Sequence, residues 1–263
     1  MSDYTAGAMK LRSSILVPAV ALLFACGDGK QPTKASADAK PTATTTTASS
    51  AAAKPPSDEM PPVTVDDMGP FIAGQRANLK EQGGAAKLKE VVSGLPIKGK
   101  EVSLIVLKNA KITDVFAVVR ELGAAGAPSV KVKSSEGRAE LPKEYSFVPQ
   151  SKLADKPPAC TVVAMISKNL ATDVWSVKGG TGKRHVKGFA GPDLSNTGET
   201  LKKALAKCDA KIAFFSADES LEWEMAHMIG GAILANDEEK KIATLVLLDE
   251  VPVPGRPIKG FGD

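Results

Sequence analysis

The chain has 263 residues, 24 % of them charged and 5 % aromatic, with a formal net charge of +4. That length holds one large domain or two small ones. So mild a positive balance, with no cluster rich in both arginine and aromatics, argues against nucleic acid as a partner and leaves only a weak attraction to acidic polymers or lipid headgroups.

The first informative stretch is MKLRSSILVPAVALLFACGDGK, residues 9–30. Lys10 and Arg12 precede an apolar run over 15–25. A bilayer-spanning helix needs about 20 apolar residues, so this run is too short to be one. Small residues and then Gly-Asp-Gly follow it, which completes the positive, apolar, cleavage-site order of an export signal. Residues 1–8 carry Asp3 and no positive charge, so Met9 is a second candidate start.

The last four residues of the run, Leu23, Phe24, Ala25 and Cys26, resemble the lipobox of bacterial lipoproteins. The resemblance implies a diacylglyceryl group on Cys26, cleavage of residues 1–25 as signal peptide, and acylation (palmitate or a similar chain) of the new amino terminus. Each buried CH₂ contributes about 0.8 kcal/mol, and three chains together would anchor the protein firmly. Gly27 stands where an aspartate would favour retention in the inner membrane, so the implied address is the outer membrane, facing the periplasm. An ordinary secretory signal is the competing reading.

Residues 26–62 are almost all Ala, Thr, Ser, Pro and Lys, with no apolar period. Such a segment cannot offset the entropy of folding and is expected to be a disordered tether. Beyond it lie two more cysteines, Cys160 and Cys208. An even pair outside the cytoplasm suggests a disulfide; two small buried side chains are the alternative. His185 and His227 are far apart in sequence and show no metal-ligand spacing, and no cofactor motif is present.

The folded part begins near Val63. Leu88, Val91 and Val92 predict a helix over 85–92, ended by Gly94 and Pro96. Residues 101–107, EVSLIVL, read as a buried strand. Ile112, Phe116, Val119 and Gly123 form a helical stripe over 112–123, and a short strand follows at 129–133. Residues 141–158 are broken by prolines and read as a link. Strands are predicted at 160–166 and 172–178, with a turn between them and a candidate third strand in KRHVKGF, 183–189. A helix follows over 196–208, capped by Asn196 or Thr197, then a strand over 211–216, a helix over 221–233 and a last strand over 242–248.

Shifting the chain by 109 positions lays Asn109 on Asp218, Ile112 on Leu221 and Phe116 on Met225. The expected fold class is therefore α/β, with two related helix-strand-helix-strand units at 63–150 and 151–263. The second unit has an added β-hairpin, and helices cover one face of each small sheet.

The stretch KIAFFSADESLEWEMAHMI, with the paired strands CTVVAMIS and TDVWSVKG and the helix GETLKKALAKC, resembles the periplasmic domain of the ExbD/TolR biopolymer-transport family. Ala217 and Asp218 stand at the family's Ala-Asp, and Trp223 where a ring is usual. The first half, 71–133, resembles a degraded copy without the aspartate or an opening hairpin. Family members carry an amino-terminal membrane helix with an ionisable aspartate; this sequence shows none, since Asp28 and Asp38 fall in the tether. The resemblance thus implies docking of partners or wall material, and pairing with a second copy, without motor function.

Asp218, after a strand and before a helix, reads first as a cap for exposed N–H groups. His227 lies one turn beyond Trp223 and reads as packing. Lys183, Arg184, His185 and Lys187 form a small basic edge, suited to a solvated face or an anionic contact. The Gly-Gly-Thr-Gly-Lys at 179–183 lacks the spacing of a phosphate loop. No catalytic or metal-binding set assembles. The expected protein is a non-catalytic binding or scaffolding lipoprotein, accessory to envelope transport, held by acyl groups and facing an envelope protein, wall material or a second copy. The alternative is an envelope enzyme or small-ligand receptor with its site near the strand ends around Asp218.

Overall fold

The computed structural model describes residues 60–135 and 138–261. The signal sequence, Cys26 and the tether up to residue 59 lie outside the described residues. The folded chain opens with β1 (Val63–Asp66), β2 (Gly69–Ile72) and β3 (Gln75–Arg76), followed by α1 (Gly84–Ser93), β4 (Val102–Val106), α2 (Ile112–Ala124) and β5 (Val130–Ser134). A crossing strand, β6 (Glu144–Pro149), comes next. The chain then builds β7 (Val162–Ile166), β8 (Thr172–Ser176), β9 (Lys183–His185), α3 (Leu194–Leu205), β10 (Ile212–Ala217), α4 (Trp223–Ala235) and β11 (Thr244–Leu247).

The side chains that alternate in these strands decide the two faces of the sheet. Val102, Leu104 and Val106 of β4 are buried while Ser103 and Ile105 are exposed. The inward residues pack with residues of all four helices in one hydrophobic cluster. On the opposite face, Met165, Trp175 and Phe214 form a second cluster with Ile258 from the C-terminal segment. That segment is strapped on by Ile258 N–H to Val177 O at 2.9 Å, by Gly180 N–H to Gly255 O at 2.9 Å and by Trp175 Nε1–H to Arg256 O at 3.0 Å. Gly179 permits the strap: its φ is 81°, and a Cβ there would stand 2.7 Å from Pro257 N. β7, buried at every position, lies between the two clusters, as do its neighbour β10 and, beyond it, β11.

Two separate helix-strand-helix-strand units are not what forms. All eleven strands join one continuous mixed sheet, in the order β3-β2-β1-β4-β5-β6-β11-β10-β7-β8-β9. The correction has two physical sources. Residues 141–158 contain β6, which runs antiparallel to β5 and parallel to β11 and so fuses what would otherwise be two sheet edges. Its prolines sit at or beyond the strand ends, where a missing N–H is tolerated, while Tyr145 and Phe147 point into the core. The first half also has an opening hairpin. β1 and β2 pair antiparallel through four residues, and β3 adds to β2. Arg76 of β3 ties this meander down with two bonds to Asp66, at 2.6 and 2.8 Å.

The chain thus passes twice through the order β-β-β-α-β-α-β, and the two passes meet antiparallel across β6. At the meeting point Ile112 N–H donates to Leu221 O and Trp223 N–H donates to Ala110 O. These bonds swap partners 111 positions apart, 112 with 223 and 110 with 221, and α2 and α4 have the same length. The correspondence is therefore two residues off the shift of 109: Asn109 faces Ser220 in that comparison, and Asp218 has Leu107 as its counterpart. Lys111 and Glu222 bridge at the centre, Nζ to Oε1 at 2.9 Å.

Cys160 and Cys208 are joined, with Cα atoms 5.6 Å apart. The bond ties the entry to β7 to the turn after α3. No helix among the described residues is long and apolar enough to cross a membrane.

Candidate functional site

The residues singled out in the sequence fall in three places. The first is β9, at one end of the sheet. Successive side chains of a strand point to opposite faces, and the register sets Arg184 opposite Asp173 and His185 opposite Thr172. Arg184 goes to the strap side, where its Nη1 lies 3.6 Å from Asp173 Oδ2. Burial raises the Asp173 carboxyl above its ordinary value, and Arg184 and the Ser167 hydroxyl pull it back. His185 goes to the helix side, where its Nε2 is 2.8 Å from Thr200 Oγ1. The Thr200 hydroxyl gives its one proton to Asn196 O, so His185 donates from Nε2. Lys183 and Lys187 are exposed.

Next to β9 stands a feature that the sequence reading did not single out. Gly188 N–H donates to Gly191 O at 2.8 Å, which closes a two-residue turn with Phe189 and Ala190 at its tip. Gly191 has φ 130°, a conformation a side chain rarely permits. Phe189 is 111 % exposed and Val186 is 73 % exposed. The available signal was an aromatic between two glycines at the end of a basic stretch. Helix α3 then starts at Leu194, capped by Asp193 rather than by Asn196 or Thr197. Asp193 accepts from Asn196 N at 3.0 Å and from Asn196 Nδ2 at 2.6 Å, which holds its carboxyl below its ordinary value.

The second place is the turn between β10 and α4. Asp218 Oδ1 accepts from Ser220 N at 2.9 Å and from Ser220 Oγ. These bonds lower its carboxyl from the usual value and commit one oxygen to holding the turn. The cavities lie elsewhere: one of about 440 Å³ is under the C-terminal strap beside Gln150 and Arg256, and a larger one of about 610 Å³ is beside Arg76 and Asn78.

The third place is interior. Trp223 is fully buried, so it is not a surface contact residue. Its ring centroid lies 6.2 Å from Phe147, 6.4 Å from Tyr145 and 6.0 Å from His227. Tyr145 stacks on His227 at 5.3 Å and donates to the His227 carbonyl at 3.2 Å. Gly230 makes room for the Tyr145 hydroxyl, which a Cβ would meet at 2.7 Å. His227 donates to the Pro142 carbonyl through its other nitrogen, and its Nε2 is buried without a partner.

Burial lowers the His227 pKa from its ordinary value, with the Pro142 bond opposing. The folded chain keeps this ring neutral, whereas the unfolded chain takes up a proton near pH 6.5. Stability is therefore full above about pH 6.5 and falls as the pH drops from there toward the lowered folded value. Asp114 and Asp173 are raised by burial; their strain is relieved on acidification, but at lower pH, in the carboxylate range. Urea titrations at about pH 7.5 and pH 5.5 are expected to show a lower midpoint at the acidic end, and a smaller drop in His227→Phe. Equal drops in both chains would remove His227 as the cause.

Among the described residues no three His, Cys, Asp or Glu side chains converge. Comparison of the chain with protein-family models, with curated proteins and with solved structures gives no match.

Proposed function

We propose that this chain is a membrane-tethered envelope lipoprotein whose folded head is a non-catalytic binding module, accessory to envelope transport, and that β9 with the 186–191 turn is its docking surface. The observation that carries the docking role is the ring of Phe189. A glycine-pinned turn holds it wholly in solvent, two residues beyond the exposed Lys187. Leaving a phenyl ring in water forgoes roughly 1.5–3 kcal/mol of burial, and aromatic residues are enriched at interfaces relative to the rest of the surface.

The export-signal pattern before Cys26 supports the envelope address. So does the Cys160–Cys208 bond, since disulfides persist outside the reducing cytoplasm. Asp218, with an oxygen committed to Ser220, offers less to an enzymatic reading.

Two experiments test this. Cells fed a fatty-acid analogue are expected to label the wild-type chain and to leave Cys26→Ser unlabelled and washed from membranes. An unlabelled wild-type chain would remove the anchor. In mild-detergent extracts the wild-type chain is expected to migrate as a complex well above the processed, micelle-bound chain alone, and Phe189→Ala/Val186→Ser as that free chain. Truncating exposed side chains changes stability by only about 0.5 kcal/mol, so loss of the complex would not reflect unfolding. Equal migration of the two would remove the docking role.

A further inference from the structure

We infer that the occupant of this surface is an extended, acidic peptide segment of an envelope partner, added to the sheet beside β9; this rests on the docking role proposed above. Among the described residues β9 pairs with β8 on one side and with no strand on the other. An edge strand offers a row of unpaired N–H and C=O groups, which is the template for strand addition. Both faces of β9 are fastened, by Arg184 to Asp173 and by His185 to Thr200. Both side chains are thus placed before a partner arrives, which limits the side-chain freedom that binding would have to remove.

The opposite edge differs. β3 has two residues and β9 three, so length does not separate the two edges; what differs is that Arg76 of β3 is folded back onto Asp66 and blunts that edge. Lysines on β9 alone would be read the same way, as protection against aggregation. That reading does not explain Val186 and Phe189, exposed apolar side chains in the segment that follows β9. The pair suits a partner that covers them.

Charge selects among occupants. A second copy pairing edge to edge would set Lys183 and Arg184 near their own counterparts, and like charges opposed across strands destabilise the pair. An acidic strand meets Lys183 and Lys187 with opposite sign. Arg184 contributes less, because Asp173 already neutralises part of its charge.

The test uses the full lipidated chain in detergent micelles and hydrogen exchange read by mass spectrometry. The probe is a synthetic eight-residue peptide alternating Glu with Val or Thr. It is compared with a Lys-for-Glu version, with the acidic peptide N-methylated on alternate backbone nitrogens, and with soluble anionic cell-wall fragments. The acidic peptide is expected to slow exchange of the 183–187 amides, to lose that effect in about 0.5 M salt, and to bind about tenfold more weakly to Lys183→Glu/Lys187→Glu. The Lys and N-methylated peptides are expected to protect nothing. Equal binding of the N-methylated peptide would show attraction without strand pairing and overturn the inference. So would free exchange of β9 under saturating acidic peptide, protection by wall fragments alone, or protection that rises with protein concentration and needs no peptide. If Phe189→Ala/Val186→Ser loses the native complex while the peptide protects nothing, strand addition fails and the docking role stands. If the complex survives that double variant, the docking role itself fails.

Discussion

Trp223→Ala is expected to destabilise the head by about 3–5 kcal/mol, the range for removing a large aromatic from a core. Trp223 is among the largest fully buried side chains, and it opens α4 where the two passes of the chain join. Its ring touches the aromatic group that β6 brings in, Tyr145 and Phe147. Its backbone N–H holds Ala110 O at 2.8 Å. Loss of the ring leaves a void between the crossing strand and α4, the two elements that fuse the halves.

The indole Nε1 is buried with no hydrogen-bond partner, so the ring acts by packing. Trp223→Phe is therefore expected to cost much less than Trp223→Ala, because it keeps most of the contact and removes an unsatisfied donor. Urea unfolding followed by far-ultraviolet circular dichroism measures both, with the midpoint shifting at constant slope. Trp175 remains as a fluorescent reporter in either variant. A Trp223→Ala midpoint within error of wild type would contradict the packing described here.

The second large effect is expected on losing the Cys160–Cys208 bond. The two residues are 48 apart in sequence. Closing a loop of that length restricts the unfolded chain by about 4 kcal/mol at 25 °C in the chain-entropy description. The cross-link holds the turn after α3 against the entry to β7, where Lys241 Nζ also binds the Cys208 carbonyl at 2.9 Å. Cys160→Ser/Cys208→Ser, or reduction, is expected to lower the urea midpoint strongly while the rest of the core remains. Cys160 is exposed and Cys208 buried, so the double variant also places one serine hydroxyl in an apolar setting and adds to the loss. Unchanged stability after complete reduction would show that the cross-link only records proximity.

Much of the local structure was legible because periodicity is local. The stripe at Ile112, Phe116 and Val119 became α2 almost to the residue, and EVSLIVL became β4. Helix α3 was read two residues late because Asp193, not Asn196, accepts from the first turn. The meander β1–β3 was missed: its strands are four residues or fewer, and Pro70 with Gly69 and Gly74 reads as turn chemistry. β6 was missed for a different reason. EYSFVP alternates as a strand should, but its prolines suggested a link, and nothing local states that β5 and β11 each need a neighbour. Strand order is set by which edges remain to be covered, and that is a property of the assembled sheet.

The site divided along the same line. The cations at 183–187 were visible in the sequence. Asp218 does not cap the helix as its position suggests: α4 starts only at Trp223, after Glu222, and Asp218 holds the turn ahead of it through Ser220. The burial of Trp223 turned on how β6 crosses the core. The exposure of Phe189 turned on one hydrogen bond between two glycines. Neither is a pattern of residue types.

The most direct measurement replaces Phe189, in the full chain expressed in its own envelope, with a photo-crosslinking phenylalanine derivative. Met68, exposed at the other end of the sheet, serves as the control position. One discrete adduct from position 189, absent from position 68 and mapped to an acidic stretch of another envelope protein, is the predicted outcome. Adducts that are the same from both positions, or none from position 189, would contradict a docking head that works through this edge.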